Sequence, residues 1–140
     1  MSSPTVLLVD DEPDILQLLE ITLKGMGLST RTAMTLAAAH AALNAEKPDL
    51  CLTDMRVPDG SGLSLIESLQ SQYPDVPVAM ITAHGTVESA IEALKLGAFD
   101  FVTKPIALDR LRSLVSNALE VDRRSAEPDT PELVGRSEAT

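Results

Sequence analysis

Apolar residues follow two alternating rhythms along this chain: short unbroken runs, and longer stretches where they recur every three or four positions. The runs Val6-Leu7-Leu8-Val9 and Leu50-Cys51-Leu52 have the length and continuity of parallel strands buried on both faces. The pattern predicts a first strand from Thr5 to Val9 and further strands at 50–53, 76–81 and 99–102, with a more polar, edge-like strand from Leu28 to Ala33. Between them, Pro13 suits a helix start, and Ile15, Leu18, Leu19, Thr22, Leu23 and Met26 mark that helix's expected buried stripe, closed by Gly25 and Gly27. An alanine-rich helix is expected from Thr35 to about Ala45, ended by Lys47-Pro48. A third carries Leu63, Leu65, Ile66 and Leu69. A fourth, capped by Thr86, turns Val87, Ala90, Ile91 and Leu94 inward and stops at Gly97. The last runs from about Leu108 to Val121, with Leu111, Leu114, Val115, Ala118 and Leu119 inward. Residues 54–61 read as a loop, with turn chemistry at Pro58-Asp59-Gly60.

Five strands alternating with five helices predict an α/β fold: a doubly wound, five-stranded parallel sheet covered on both faces, of flavodoxin-like order 2-1-3-4-5. One domain over residues 1–121 accounts for this pattern. Beyond it, 122–140 turns polar and proline-punctuated, as a linker or the frayed end of the last helix would.

Composition narrows the functions. At 44% hydrophobic and 2% aromatic, the core must be aliphatic. A net charge of −10 argues against this segment gripping nucleic acid through its phosphates. The single cysteine, Cys51, lies within a predicted strand, where a small buried residue is a better reading than a reactive thiol, and it permits no internal disulfide. No run of about 18 apolar residues exists to span a membrane, and Met1-Ser2-Ser3-Pro4 lacks the basic region of a signal peptide. Cytoplasmic location is the default expectation.

Three of the predicted strands end in reactive side chains: Asp10-Asp11-Glu12, Asp54, and Lys104 before Pro105. At the carboxyl edge of a doubly wound sheet, strands one and three are neighbours flanking a crevice, so these acids converge. Clustered carboxylates repel, and a hard divalent cation such as Mg²⁺ relieves that repulsion while keeping several waters. Asp54 then reads as a nucleophile toward a phosphoryl group, with Lys104 supplying positive charge and Thr82, at the end of strand four, a hydroxyl donor. Each residue also has a plainer role: helix capping for the acids, a strand position for Thr82, a surface charge for Lys104. The Lys104-Pro105 bond reads equally as cis or as a simple strand stop. An aspartate-nucleophile phosphatase or dehalogenase would want a second acid two residues on, where this chain has Arg56. A nucleotide-binding module would want a glycine-rich loop where it has Asp-Asp-Glu.

Asp10-Asp11, Asp54, Pro58-Asp59-Gly60-Ser61-Gly62, Thr82-Ala83 and Lys104-Pro105 together resemble the receiver domain of bacterial two-component response regulators (the CheY-like fold) over about residues 5–121. The resemblance implies that Asp54 is the phosphoacceptor, charged by a sensor histidine kinase. It also implies that Asp11, Asp54 and the backbone carbonyl of Arg56 hold Mg²⁺, that Asp10 assists through water, and that Thr82 and Lys104 bind the phosphoryl group. Phe101 falls where the family carries an aromatic switch residue, with core packing an equal reading. Arg56 and His84, two residues beyond Asp54 and Thr82, flank the path of an attacking water and are expected to set the lifetime of the acyl phosphate. Output is expected as a shift in the helix 4–strand 5–helix 5 face, with homodimerisation there or through the linker helix. Leu133-Val134-Gly135-Arg136-Ser137 is similar to the entry of the AAA+ domain in NtrC-type, sigma-54-dependent activators, and the runs 49–56 and 93–101 resemble those of type IV pilus expression regulators within that group. Any DNA contact would then belong to domains outside these residues. A stand-alone receiver signalling by direct protein contact is the alternative.

Overall fold

The computed structural model describes residues 3–83 and 85–126, with side chains described as far as residue 119. In chain order the elements are β1 (Thr5–Val9), α1 (Pro13–Gly25), β2 (Ser29–Ala33), α2 (Leu36–Ala45), β3 (Leu50–Thr53), β4 (Arg56–Val57), β5 (Gly60–Ser61), α3 (Gly62–Gln72), β6 (Val78–Thr82), α4 (Val87–Leu96), β7 (Asp100–Thr103) and α5 (Leu108–Ala126). Five strands form one parallel sheet, β2-β1-β3-β6-β7. Once the two-residue hairpin β4–β5 is set aside, this is the expected order 2-1-3-4-5. That hairpin is what the sequence reads only as a loop, because two-residue strands carry no periodicity.

The aliphatic runs become strands because both of their faces are buried. Leu7, Val9, Cys51 and Met80 face one core cluster with residues of α2, α3 and α4, while Val6, Leu8, Leu50 and Leu52 face another with α1 and α5. Burial pushes the Cys51 thiol up to about 12, so it is an inert core group. α5 buries the expected Leu111, Leu114, Val115 and Ala118, and continues past Val121 to Ala126. No helix among the described residues is long and apolar enough to cross a membrane.

One expected stripe is overturned and another is corrected at a single position. α1 buries Leu16, Leu19, Thr22 and Leu23, whereas Leu18 is exposed. Apolar residues at 15, 16, 18, 19 and 21 cover so wide an arc that spacing alone left the buried direction ambiguous. In α4 only Ala93 is buried, and Val87, Ile91 and Leu94 are 73%, 48% and 47% exposed. A row of three large apolar residues at helical spacing reads as a core stripe, yet here the small residue faces the sheet.

Candidate functional site

Strand register brings the reactive ends together. Val9 pairs with Thr53, so the next residues, Asp10 and Asp54, leave neighbouring strands side by side. The Asp54 N–H donates to the Val9 carbonyl at 2.8 Å, and that of Asp10 to Ala33 at 3.0 Å, extending the ladders to the acids themselves. On the other side Thr82 pairs with Thr103, and the Lys104 N–H donates to the Thr82 carbonyl at 2.9 Å. The Lys104–Pro105 peptide is cis.

Lys104 spans the crevice. Its Nζ lies 2.7 Å from Asp10 Oδ2, 2.9 Å from Glu12 Oε1 and 3.2 Å from Asp54 Oδ2, with its side chain only 8% exposed. Burial opposes the charge on Lys104, but hydrogen bonds to Asp10 and Glu12 and the fields of Asp10 and Asp54 outweigh it, holding the ammonium well above its ordinary pKa. Asp10 is raised above the usual carboxylate range by burial, against the lowering effect of Lys104 and the Glu12 N–H, which donates to Oδ1 at 2.9 Å; the Asp54 charge adds to the rise. Asp54 is held by its own loop: the Met55 N–H donates to Oδ1 at 2.6 Å.

Asp10, Glu12 and Asp54 each offer an oxygen atom, all within 4.8 Å of one another. Three carboxylates against one ammonium leave two negative charges uncompensated. An all-oxygen donor set with that excess fits a hard divalent cation. Asp11 is exposed and is not one of these three, whereas Glu12, also exposed, is. Glu12 was legible only as part of the Asp-Asp-Glu run; its reach toward Lys104 depends on the chain's turn into α1. Thr82 is completely buried at the end of β6. Arg56 is exposed on β4, its backbone paired with Ser61. Phe101 is half-buried against the core, its ring beneath Gly85. His84 and the 133–137 segment lie outside the described residues.

A crossover parallel sheet with acids and a lysine converging at its carboxyl edge defines a class, and residues 6–116 match the response regulator receiver domain: the chain belongs to that family. It is 55% identical over 139 residues to response regulator protein PilR of Pseudomonas aeruginosa, which covers 98% of this chain and 31% of that protein. This agrees with the resemblance of runs 49–56 and 93–101 to pilus regulators. The crystal structure of the receiver domain of NtrX from Brucella abortus superposes with a TM-score of 0.78 at 40% identity, over 82% of this chain and 98% of that one. The solution structure of the beryllofluoride-activated NtrC4 receiver domain dimer does so at 0.81 and 34%, over 84% of this chain and 98% of that one. The chain spans about three-tenths of the length of the curated relatives it matches.

Proposed function

We propose that this chain is the phosphoacceptor receiver of a two-component response regulator, with Asp54 taking a phosphoryl group from a sensor histidine kinase in the presence of Mg²⁺. The observation that carries this reading is the Lys104 ammonium, 2.7 Å from Asp10 and 3.2 Å from Asp54 across three strand ends. An Asp54 carboxylate oxygen forms the new bond to phosphorus as the bond to the kinase's histidine nitrogen breaks. Lys104 exchanges its contact with Asp54 for a phosphoryl oxygen, and the Thr82 hydroxyl takes another. Asp10, Asp11, Asp54 and the Arg56 carbonyl are the proposed Mg²⁺ holders, with Glu12 added by its proximity. A bound Mg²⁺ would supply two positive charges to offset the charge of the phosphoryl oxygens. On this reading the chain is a cytoplasmic signalling domain whose own chemistry is gaining and losing a phosphoryl group at Asp54.

Phosphorylation adds roughly −1.5 to −2 charges at Asp54. Movement of Thr82 and Lys104 toward them biases the face made by α4, β7 and α5, and Phe101 follows by packing alone. Reversing a 1:99 equilibrium requires ~5.5 kcal/mol of differential interaction, within reach of several charge-assisted contacts. The exposed Val87, Ile91 and Leu94 make that face, or the helix leading into the linker, the proposed homodimer contact. In a parent of the relatives' length, this controls sigma-54-dependent transcription through an AAA+ domain whose start follows the linker within 122–140, with DNA bound by further domains. Arg56 and His84 tune the acyl phosphate's lifetime; unchanged dephosphorylation in both alanine variants would remove that role.

Incubation with acetyl phosphate and Mg²⁺, read by intact mass, is expected to add one phosphoryl group that is lost in Asp54→Asn. No gain in the wild type, or a gain retained in Asp54→Asn, would overturn the assignment.

A further inference from the structure

We infer that Gly62 and Thr53 are positioning residues that aim the Asp54 carboxylate by clamping the peptide plane between residues 54 and 55; this rests on the reading of Asp54 as phosphoacceptor. That peptide has two working ends. Its N–H, on Met55, donates to Asp54 Oδ1 at 2.6 Å and so orients the carboxylate. Its carbonyl, on Asp54, accepts the Thr53 hydroxyl at 2.9 Å and faces the Cα of Gly62. Because a peptide unit is planar and stiff, turning one end turns the other.

No other residue fits at 62 without disturbing this arrangement. A Cβ there would overlap the Asp54 carbonyl oxygen and lie 3.1 Å from both the carbonyl carbon and Met80 Cε. The obstacle is backbone, not the free end of a side chain, so rotamer changes give no relief. Retreat of α3 is also blocked. Leu65, Ile66 and Leu69 are fully buried in the core, and the Gly62 N–H is bonded to the Met55 carbonyl at 2.7 Å. The peptide is the part that must yield, carrying the Met55 N–H away from Oδ1. Phosphoryl transfer depends on in-line placement of the attacking oxygen, so such a shift acts on rate.

Ser61→Ala supplies the control. It removes the Ser61 Oγ that accepts the Leu63 N–H at 3.0 Å, loosening the same helix end without touching the 54–55 peptide. With acetyl phosphate and Mg²⁺, Gly62→Ala is expected to take up phosphate about tenfold more slowly than wild type. Thr53→Val, which keeps the shape and drops the hydroxyl, is expected to be several-fold slower, and Ser61→Ala close to wild type. The amide resonance of Met55 in ¹H–¹⁵N spectra is expected to move in Gly62→Ala and Thr53→Val and to stay in Ser61→Ala, whatever becomes of the phosphorylation reading. Wild-type rates in both test variants, a slowing matched by Ser61→Ala, or an unmoved Met55 amide would each overturn the inference. Should Gly62→Ala not fold, Thr53→Val decides. A wild type that takes up no phosphoryl group would remove the reading of Asp54 while leaving the Met55 resonance to test the clamp.

Discussion

α3 and α4 lie over the same face of the sheet and are nearly equal in length, yet they are attached in opposite ways. α3 buries Leu65, Ile66 and Leu69 completely and rests its first residue on the backbone of Asp54. Its preceding hairpin is tied to the start of α2, where Asp59 accepts the N–H groups of Leu36 at 2.7 Å and Ala37 at 3.0 Å. α4 begins with a reciprocal cap between Thr86 and Ser89, but only Ala93 is buried along its length. Stability in a small domain is unevenly distributed, and elements that move are drawn from the weakly buried end. Asp54, the proposed acceptor, therefore sits in the fixed half, and the neighbouring α4 is the more weakly held helix.

The sharpest way to break this contrast is at its source. Asp54→Asn should keep the fold by circular dichroism and lose phosphoryl uptake completely; a folded variant that still gained mass would move the acceptor elsewhere. Next comes a pair of isoleucines. Ile66→Ala on α3 should cost about 3 kcal/mol in urea unfolding, the range for a fully buried side chain. Ile91→Ala on α4 should cost only about 0.5 kcal/mol, since the side chain is half in water. Equal costs would show the two helices to be equally anchored.

Lys104→Met tests the electrostatic part of the fixed half. Removing the ammonium leaves Asp10 and Asp54 facing each other without a counter-charge, for a loss of roughly 3 kcal/mol. The pH sign follows from Asp10. Its folded pKa is raised, so the folded state binds the proton more tightly and stability falls as pH rises through that value. The deficit of Lys104→Met should accordingly shrink as pH is lowered, and a deficit that grew toward acid would contradict the burial of these carboxylates.

The smallest effect is at Asp59. Its carboxyl is held below the ordinary value by the Leu36 and Ala37 N–H groups. The stability it contributes is present above pH about 4 and lost as pH falls through the folded value. Thermal melts of Asp59→Ala should show a modest loss near neutrality that vanishes in acid; a pH-independent loss would point to altered loop packing instead.

Much of this was legible in the sequence, for a physical reason. Buried parallel strands such as Val6–Val9 and Leu50–Leu52 need unbroken apolar runs, and the order of the sheet then dictates where Asp10, Asp54 and Lys104 meet. What escaped notice depends on main-chain approach or on which way a helix rolls. Gly62 enters from sequence only within the run 58–62 that carries the family resemblance, because its contact with the Asp54 carbonyl exists only once α3 is docked. Glu12 reaches Lys104 through the turn into α1. Val87, Ile91 and Leu94 have the spacing of a core stripe, and periodicity cannot distinguish a face against the sheet from one left for a partner.

Hydrogen exchange of the wild type, with and without acetyl phosphate and Mg²⁺, tests the contrast most directly. Protection should change across 87–96 and 100–103 while 50–53 and 62–72 keep theirs. A phosphorylated protein with α4 unaltered, or with α3 and α4 altered alike, would contradict the division between a fixed Asp54, the proposed acceptor, and a movable α4.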